Sequence, residues 1–112
     1  MQIDERSAGN VTVLDLSGQI TLSQGDQQFK DKINSLVHQG RHNILVNLAN
    51  VTHVDSAGLG ELVGAYTTVK KAGGSMKLLN LTKRLHDLLA ITKLLTFFDT
   101  FESEQQALKE FT

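Results

Sequence analysis

The sequence has 112 residues, 40% hydrophobic and 21% charged, the balance of a globular domain with one hydrophobic core rather than a disordered chain. It contains no cysteine, which removes disulfides, thiolate metal sites and cysteine nucleophiles. A formal net charge of -1, with one tyrosine and no tryptophan, offers neither a basic surface nor a stacking platform for nucleic acid.

Met1 to Gly18 has no positive start and no unbroken apolar stretch. The most apolar segment, Leu85 to Phe101, is interrupted by His86, Asp87, Lys93 and Asp99. The expectation is a cytoplasmic domain, residues 1–112, with no targeting segment and no membrane insertion.

In chain order, Val11, Val13 and Leu16 alternate with polar residues and predict a half-buried strand ending at Ser17-Gly18. Met1 to Arg6 can pair with it across Ala8-Gly9-Asn10 as a hairpin. Phe29, Ile33, Leu36 and Val37 then lie on one face of a helix, with Ser23 or Asp26 as its cap and Gly40 at its end. Asn43 to Ala49 is nearly continuous in apolar residues and suits a central strand buried on both faces. A turn is expected from Asn50 to Gly58. Leu59, Leu62, Val63, Tyr66 and Val69 form a second helical stripe, ended by Gly73-Gly74. Met76 to Leu81 reads as a buried strand, Thr82 as the cap of a helix through Leu85, Leu88 and Leu89, and Phe98 to Phe101 as a short edge strand. Ser103 and Gln106 have capping-box spacing before a last helix. This order predicts an α/β domain: a mixed, largely parallel sheet packed by about four helices. In such sheets partners and ligands meet the loops at the carboxyl ends of the strands, which directs attention to the turn before Gly58.

Asp55 and Ser56 stand there, where extended chain gives way to helix. From position alone Ser56 can be a helix cap. The free N–H groups and dipole of a helix start also favour a negative charge, including the roughly -1.5 to -2 of a phosphate on Ser56. The glycines of G-L-G-E-L-V-G, Gly58 to Gly64, invite a dinucleotide-binding reading, but the third glycine falls one position late for G-x-G-x-x-G, and Asn80 stands where a ribose-binding acid is wanted. A structural reading of Gly60 and Gly64 is close approach of the sheet or of a partner helix along one helix face. The histidines form no ligand set: His38 and His42 are four apart with Gly40 between them, and His53 and His86 are isolated. No catalytic Ser-His-Asp spacing occurs, so no enzyme and no metal is expected.

D-S-A-G-L-G at Asp55 to Gly60 resembles the D-S-S/T/A-G-L-G signature of STAS domains, in particular the bacterial anti-sigma-factor antagonists. The resemblance extends to S-G-Q-I at Ser17 to Ile20, N-I-L-V-N-L-A-N-V-T-H-V-D before the serine, K-L-L-N-L at Lys77 to Leu81, and the leucine and phenylalanine pattern from Leu88 to Phe101. It implies the STAS architecture with Ser56 as phosphoacceptor. It implies that the unphosphorylated domain binds an anti-sigma factor that is also a serine kinase, releasing a sigma factor. The kinase, which itself binds Mg-ATP, then phosphorylates Ser56, and a Ser/Thr phosphatase resets the domain; this chain needs no cofactor of its own. Partner contacts implied by the resemblance are Asp55, Ser56, Gly58, Leu59, Leu62, Thr21 and Ser23. Many members of that family have an aspartate where this sequence has Thr21. Within the same family, the alternative is an interaction subunit of a transporter or lipid-trafficking complex.

Overall fold

A computed structural model describes residues 1–111. Nine elements follow one another: β1 (Gln2–Ala8), β2 (Val11–Ile20), α1 (Asp26–His38), β3 (Asn43–Val54), α2 (Ser56–Lys71), β4 (Ser75–Leu79), α3 (Lys83–Ile91), β5 (Thr100–Phe101) and α4 (Glu104–Lys109). The strands lie in the order β1-β2-β3-β4-β5. β1 is antiparallel to β2 and every other pairing is parallel. The expected hairpin, central strand and mixed α/β sheet with four helices are all present.

The period-two alternation of the strands sorts side chains onto two faces. Leu14, Leu16, Ile44, Val46, Leu48 and Leu78 bury against α1, α2 and α3 in the main core. Val11, Val13, Leu45 and Leu79 point the other way and meet Ala107 of α4 and Phe111 in a smaller cluster. Lys77 lies among these with only 8% exposure. Its stem is buried while Nζ reaches Asp99 at 3.0 Å and lies 5.3 Å from the centre of the Phe111 ring, so one side chain ties β4 to the last segment of the fold.

Two boundaries differ from the sequence expectation in one concerted way. β2 runs through Ser17-Gly18 to Ile20, and β3 runs past Ala49 to Val54, because the two extensions pair with each other. Register slips between Asp15 and Ser17, opposite Asn47 and Asn50, and again between Gly18 and Gln19, opposite Val51 and His53. Each slip adds a residue to β3, a bulge that shifts its inward phase, so that Val51 joins the main core after Leu48. The expected Asn50–Gly58 turn shrinks to a single residue, Asp55, between strand and helix.

The start of α1 also differs. Neither Ser23 nor Asp26 caps it; the N-cap is Gly25 at φ +85°, and no side chain substitutes. Thr82 and Ser103 do cap α3 and α4, accepting from Leu85 N–H at 3.2 Å and Gln106 N–H at 3.3 Å. The edge strand contracts to Thr100–Phe101, because Phe98 turns into the main core.

Candidate functional site

β2 and β3 end side by side, paired through Gln19 with His53 and Ile20 with Val54. Each then leads into a helix, β2 through the loop 21–25 into α1 and β3 through Asp55 into α2. The two exits form one small surface at the carboxyl end of the sheet.

Asp55 holds that surface together. As N-cap of α2 it accepts from the Gly58 N–H at 2.9 Å through Oδ1. Its Oδ2 accepts from the Leu22 N–H in the neighbouring loop at 3.1 Å. These N–H groups, Gly58's first and then Leu22's, hold the Asp55 carboxyl below the ordinary value of 3.8; the Ala57 N–H and the nearby His53 add to this, and partial desolvation opposes it. The carboxylate thus stays charged at neutral pH.

Ser56 is therefore not the cap, the simplest role its position suggests. It is the first residue of α2, exposed, and its hydroxyl makes no hydrogen bond among the described residues. Asp55 has taken the structural duty and left the Ser56 hydroxyl free at the positive end of a 16-residue helix.

Gly58 faces inward. A Cβ built there would lie 1.7 Å from the Ile20 carbonyl oxygen and 3.1 Å from Val54 Cγ1. The close approach that glycine permits is between α2 and the end of β2, so a partner does not meet a free Gly58 surface. Leu59 and Leu62, at 7% and 0% exposure, are core side chains, as their helical stripe requires, so the free domain presents little of either at its surface. Thr21 is buried as well, at 5%. It is spent on its own loop: its N–H donates to the Gln24 carbonyl at 2.6 Å, and the Gln24 N–H donates back to Thr21 O and Oγ1, each at 3.2 Å. Ser23 is exposed, its Oγ 3.4 Å from Thr21 Oγ1. The residue that does project from this loop is Leu22, 75% exposed. Two residues after the buried Ile20, strand spacing would place it on the same inward face, and the turn at Thr21–Gln24 directs it outward instead.

The glycine-loop geometry of a dinucleotide site is not formed. Only Asp55 separates β3 from α2, so Gly60 and Gly64 lie inside the helix rather than in a phosphate-wrapping turn. A Cβ on either would meet nothing within 4 Å, so neither glycine serves a close approach of the described chain. Among the described residues no helix is long and apolar enough to cross a membrane.

The chain is similar to known proteins over nearly all of its length. The STAS domain family matches residues 2–107. An anti-sigma-B factor antagonist of Bacillus subtilis is 34% identical over 99 residues, covering 88% of this chain and 89% of that protein. The chain belongs to the STAS domain family. Among solved structures, a Thermotoga maritima protein superposes with a TM-score of 0.90 at 19% identity, over 97% of this chain and 93% of that one. The anti-sigma factor antagonist SpoIIAA, a Bacillus cell fate determinant, has been solved unphosphorylated and phosphorylated; the two forms superpose with TM-scores of 0.72 and 0.75 at 20% identity, each over 97% of this chain and over 96% and 98% of SpoIIAA.

Proposed function

We propose that this domain is an anti-sigma-factor antagonist acting in the cytoplasm, a binding switch rather than an enzyme, turned off by phosphorylation of Ser56. The observation that carries the proposal is the division of labour at the start of α2: Asp55 caps the helix, and Ser56 keeps an exposed hydroxyl with no structural employment. The Bacillus subtilis relative's role and the two phosphorylation forms of SpoIIAA support it.

In this reading the unphosphorylated surface docks on an anti-sigma factor that is also a serine kinase. The partner transfers the γ-phosphoryl of its bound Mg-ATP to Ser56 Oγ. An O–P bond forms at Ser56, the bond to the β-phosphate oxygen breaks, the hydroxyl proton passes to a base of the kinase, and ADP leaves. A phosphatase returns the serine by hydrolysis. In the free domain the dianion sits at a helix start that tolerates it. In the complex it would be desolvated beside the Asp55 carboxylate, so phosphorylation favours release.

The test is to incubate the domain with an anti-sigma-factor kinase of the source genome and ATP, and to map the product by mass spectrometry. A single major phosphosite at Ser56 is expected. Modification of Thr52, Thr21 or Ser23 with Ser56 untouched would refute the assignment, and equal partner affinity of the phosphorylated and unphosphorylated forms would favour a constitutive role in a transporter or lipid-trafficking assembly.

A further inference from the structure

We propose that residues 104–111, α4 with Phe111, form a strap that lifts from the back of the sheet while the rest of the domain stays folded, and that the ion pair between Arg6 and Glu104 is its latch. The strap is a conformational device of the fold and does not depend on modification of Ser56.

The two faces of the sheet are covered unequally. On the front, helices of 13, 16 and 9 residues (α1, α2 and α3) bury their stripes in the main core. On the back, Val11, Val13, Leu45 and Leu79 are sealed by Ala107, Leu108 and Phe111. α4 has six residues. A helix of that length has no stability of its own and persists only while docked.

The chain is firmly anchored up to the strap. Phe98 enters the main core on the front face. β5 is then bonded to β4, the Leu78 N–H donating to the Asp99 carbonyl at 2.9 Å and the Asn80 N–H to the Phe101 carbonyl at 2.8 Å. Beyond Glu102 the backbone bonds turn inward on α4 and its cap, with the Ala107 N–H donating to the Ser103 carbonyl at 3.0 Å and the Glu110 N–H to the Ala107 carbonyl at 3.1 Å. Side chains hold this segment to the sheet: Glu104 on Arg6, Phe111 over Lys77, and the apolar cluster.

Opening strands no charge. Arg6 grips two carboxylates, Asp15 through Nε and Nη2 at 2.6 and 3.1 Å and Glu104 through Nη1 at 3.0 Å. When Glu104 leaves, Arg6 keeps Asp15, which Asn47 Nδ2 also holds at 2.8 Å. Lys77, buried beside Leu79 and Leu45, loses the Phe111 ring but keeps Asp99 at 3.0 Å, on the anchored side of the hinge. Breaking a buried ion pair is costly because it leaves one charge without a partner; here each cation retains a carboxylate. The cost of lifting is therefore the apolar area of one small cluster, a fraction of what unfolding exposes, and this places the strap among segments that open below the global transition. Once open, the back of the sheet presents an apolar strip of Val11, Val13, Leu45 and Leu79 flanked by Arg6 and Lys77.

The test is amide hydrogen exchange of the whole domain at several denaturant concentrations below the unfolding transition. Relative to its unstructured rate, the Ala107 N–H should exchange at least about tenfold faster than the Leu45 and Val46 N–H groups of β3. Its denaturant slope should be smaller than theirs but above zero, because lifting exposes part of the surface that unfolding exposes. Ile33→Val, in the main core, should quicken Leu45 and Val46 about twofold to tenfold and leave Ala107 unchanged, since the α1 packing survives opening. Arg6→Gln and Glu104→Gln should each quicken Ala107 about twofold to fivefold, and the two together no more than either alone. Equal protection of Ala107 and Leu45, with both quickened in Ile33→Val, would overturn the strap. A zero slope at Ala107 would also overturn it, because α4 would then fray without lifting. Unchanged rates in the single variants, or additive quickening in the pair, would overturn the latch.

Discussion

Gly58 and Ser56 stand two residues apart in the first turn of α2 and mark opposite limits of tolerance. At Gly58 a single methyl group would lie 1.7 Å from the Ile20 carbonyl oxygen. At Ser56 the side chain is exposed and has no hydrogen-bond partner among the described residues, so a phosphate has room. Between them in function is Asp55, which caps the helix on one side and ties down the neighbouring loop on the other. The contrast shows how a helix start can be rigid and yet modifiable. Its inward side is packed against backbone, its cap is supplied by the residue before the serine, and the serine is left for chemistry.

The largest effect expected from probing this contrast is on the inward side. Gly58→Ala should destabilise the domain by about 1–3 kcal/mol, even though alanine is the better helix former, because the obstructing atom is backbone and cannot rotate away. Chemical denaturation of the two forms measures it. A midpoint equal to wild type would mean that the α2–β2 approach is looser than described.

Acid should act next. Asp55 is held below its ordinary value of 3.8 by backbone donors, Asp15 below 3.8 and Glu104 below 4.5 chiefly by hydrogen bonds from Arg6, and Glu5 below 4.5 chiefly by one from Lys32. A depressed folded value means that the stabilisation is complete above the unfolded carboxylate range and is lost as pH falls through the lower folded values. The denaturation midpoint should therefore hold between pH 7 and about 5 and decline below about 4.5. Asp55→Asn, which does not titrate, should lack its share of that decline. A midpoint constant down to pH 3 would contradict the assignment of these contacts.

The smallest effect belongs to the outward side. Ser56→Ala should change stability by no more than about 0.5 kcal/mol, the range of surface substitutions away from caps and cores. A loss of the size that follows removal of a cap, about 1 kcal/mol, would show that the serine is structural after all.

What could be read from the sequence divides along local and non-local lines. The α2 stripe and the Thr82 and Ser103 caps were readable, because each is set by neighbours within two turns. The true lengths of β2 and β3 were not. Ser17-Gly18 has the composition of a stop, and only the pairing of Ser17 with Asn50 and of Ile20 with Val54, far apart in the chain, overrides it. Position alone allows Ser56 as the cap of α2, whereas the cap is Asp55, one residue earlier, because its carboxylate reaches the Gly58 N–H. Leu59 and Leu62 lie in the core as the periodicity of α2 predicts, since a helical stripe is set by spacing alone. Leu22 and Ser23 face outward while Thr21 between them and Ile20 is buried, an outcome of hydrogen bonding within the loop that no periodicity encodes.

The central claim is that a phosphate on Ser56 converts a binding surface into a non-binding one without disturbing the fold. The most direct measurement is a paired calorimetric titration of unphosphorylated and Ser56-phosphorylated domain against the same anti-sigma-factor kinase, with circular dichroism recorded on both forms. The account predicts unchanged spectra and an affinity at least about tenfold weaker for the phosphorylated form, since the new charge must be desolvated beside Asp55. Equal affinities for the two forms would contradict it.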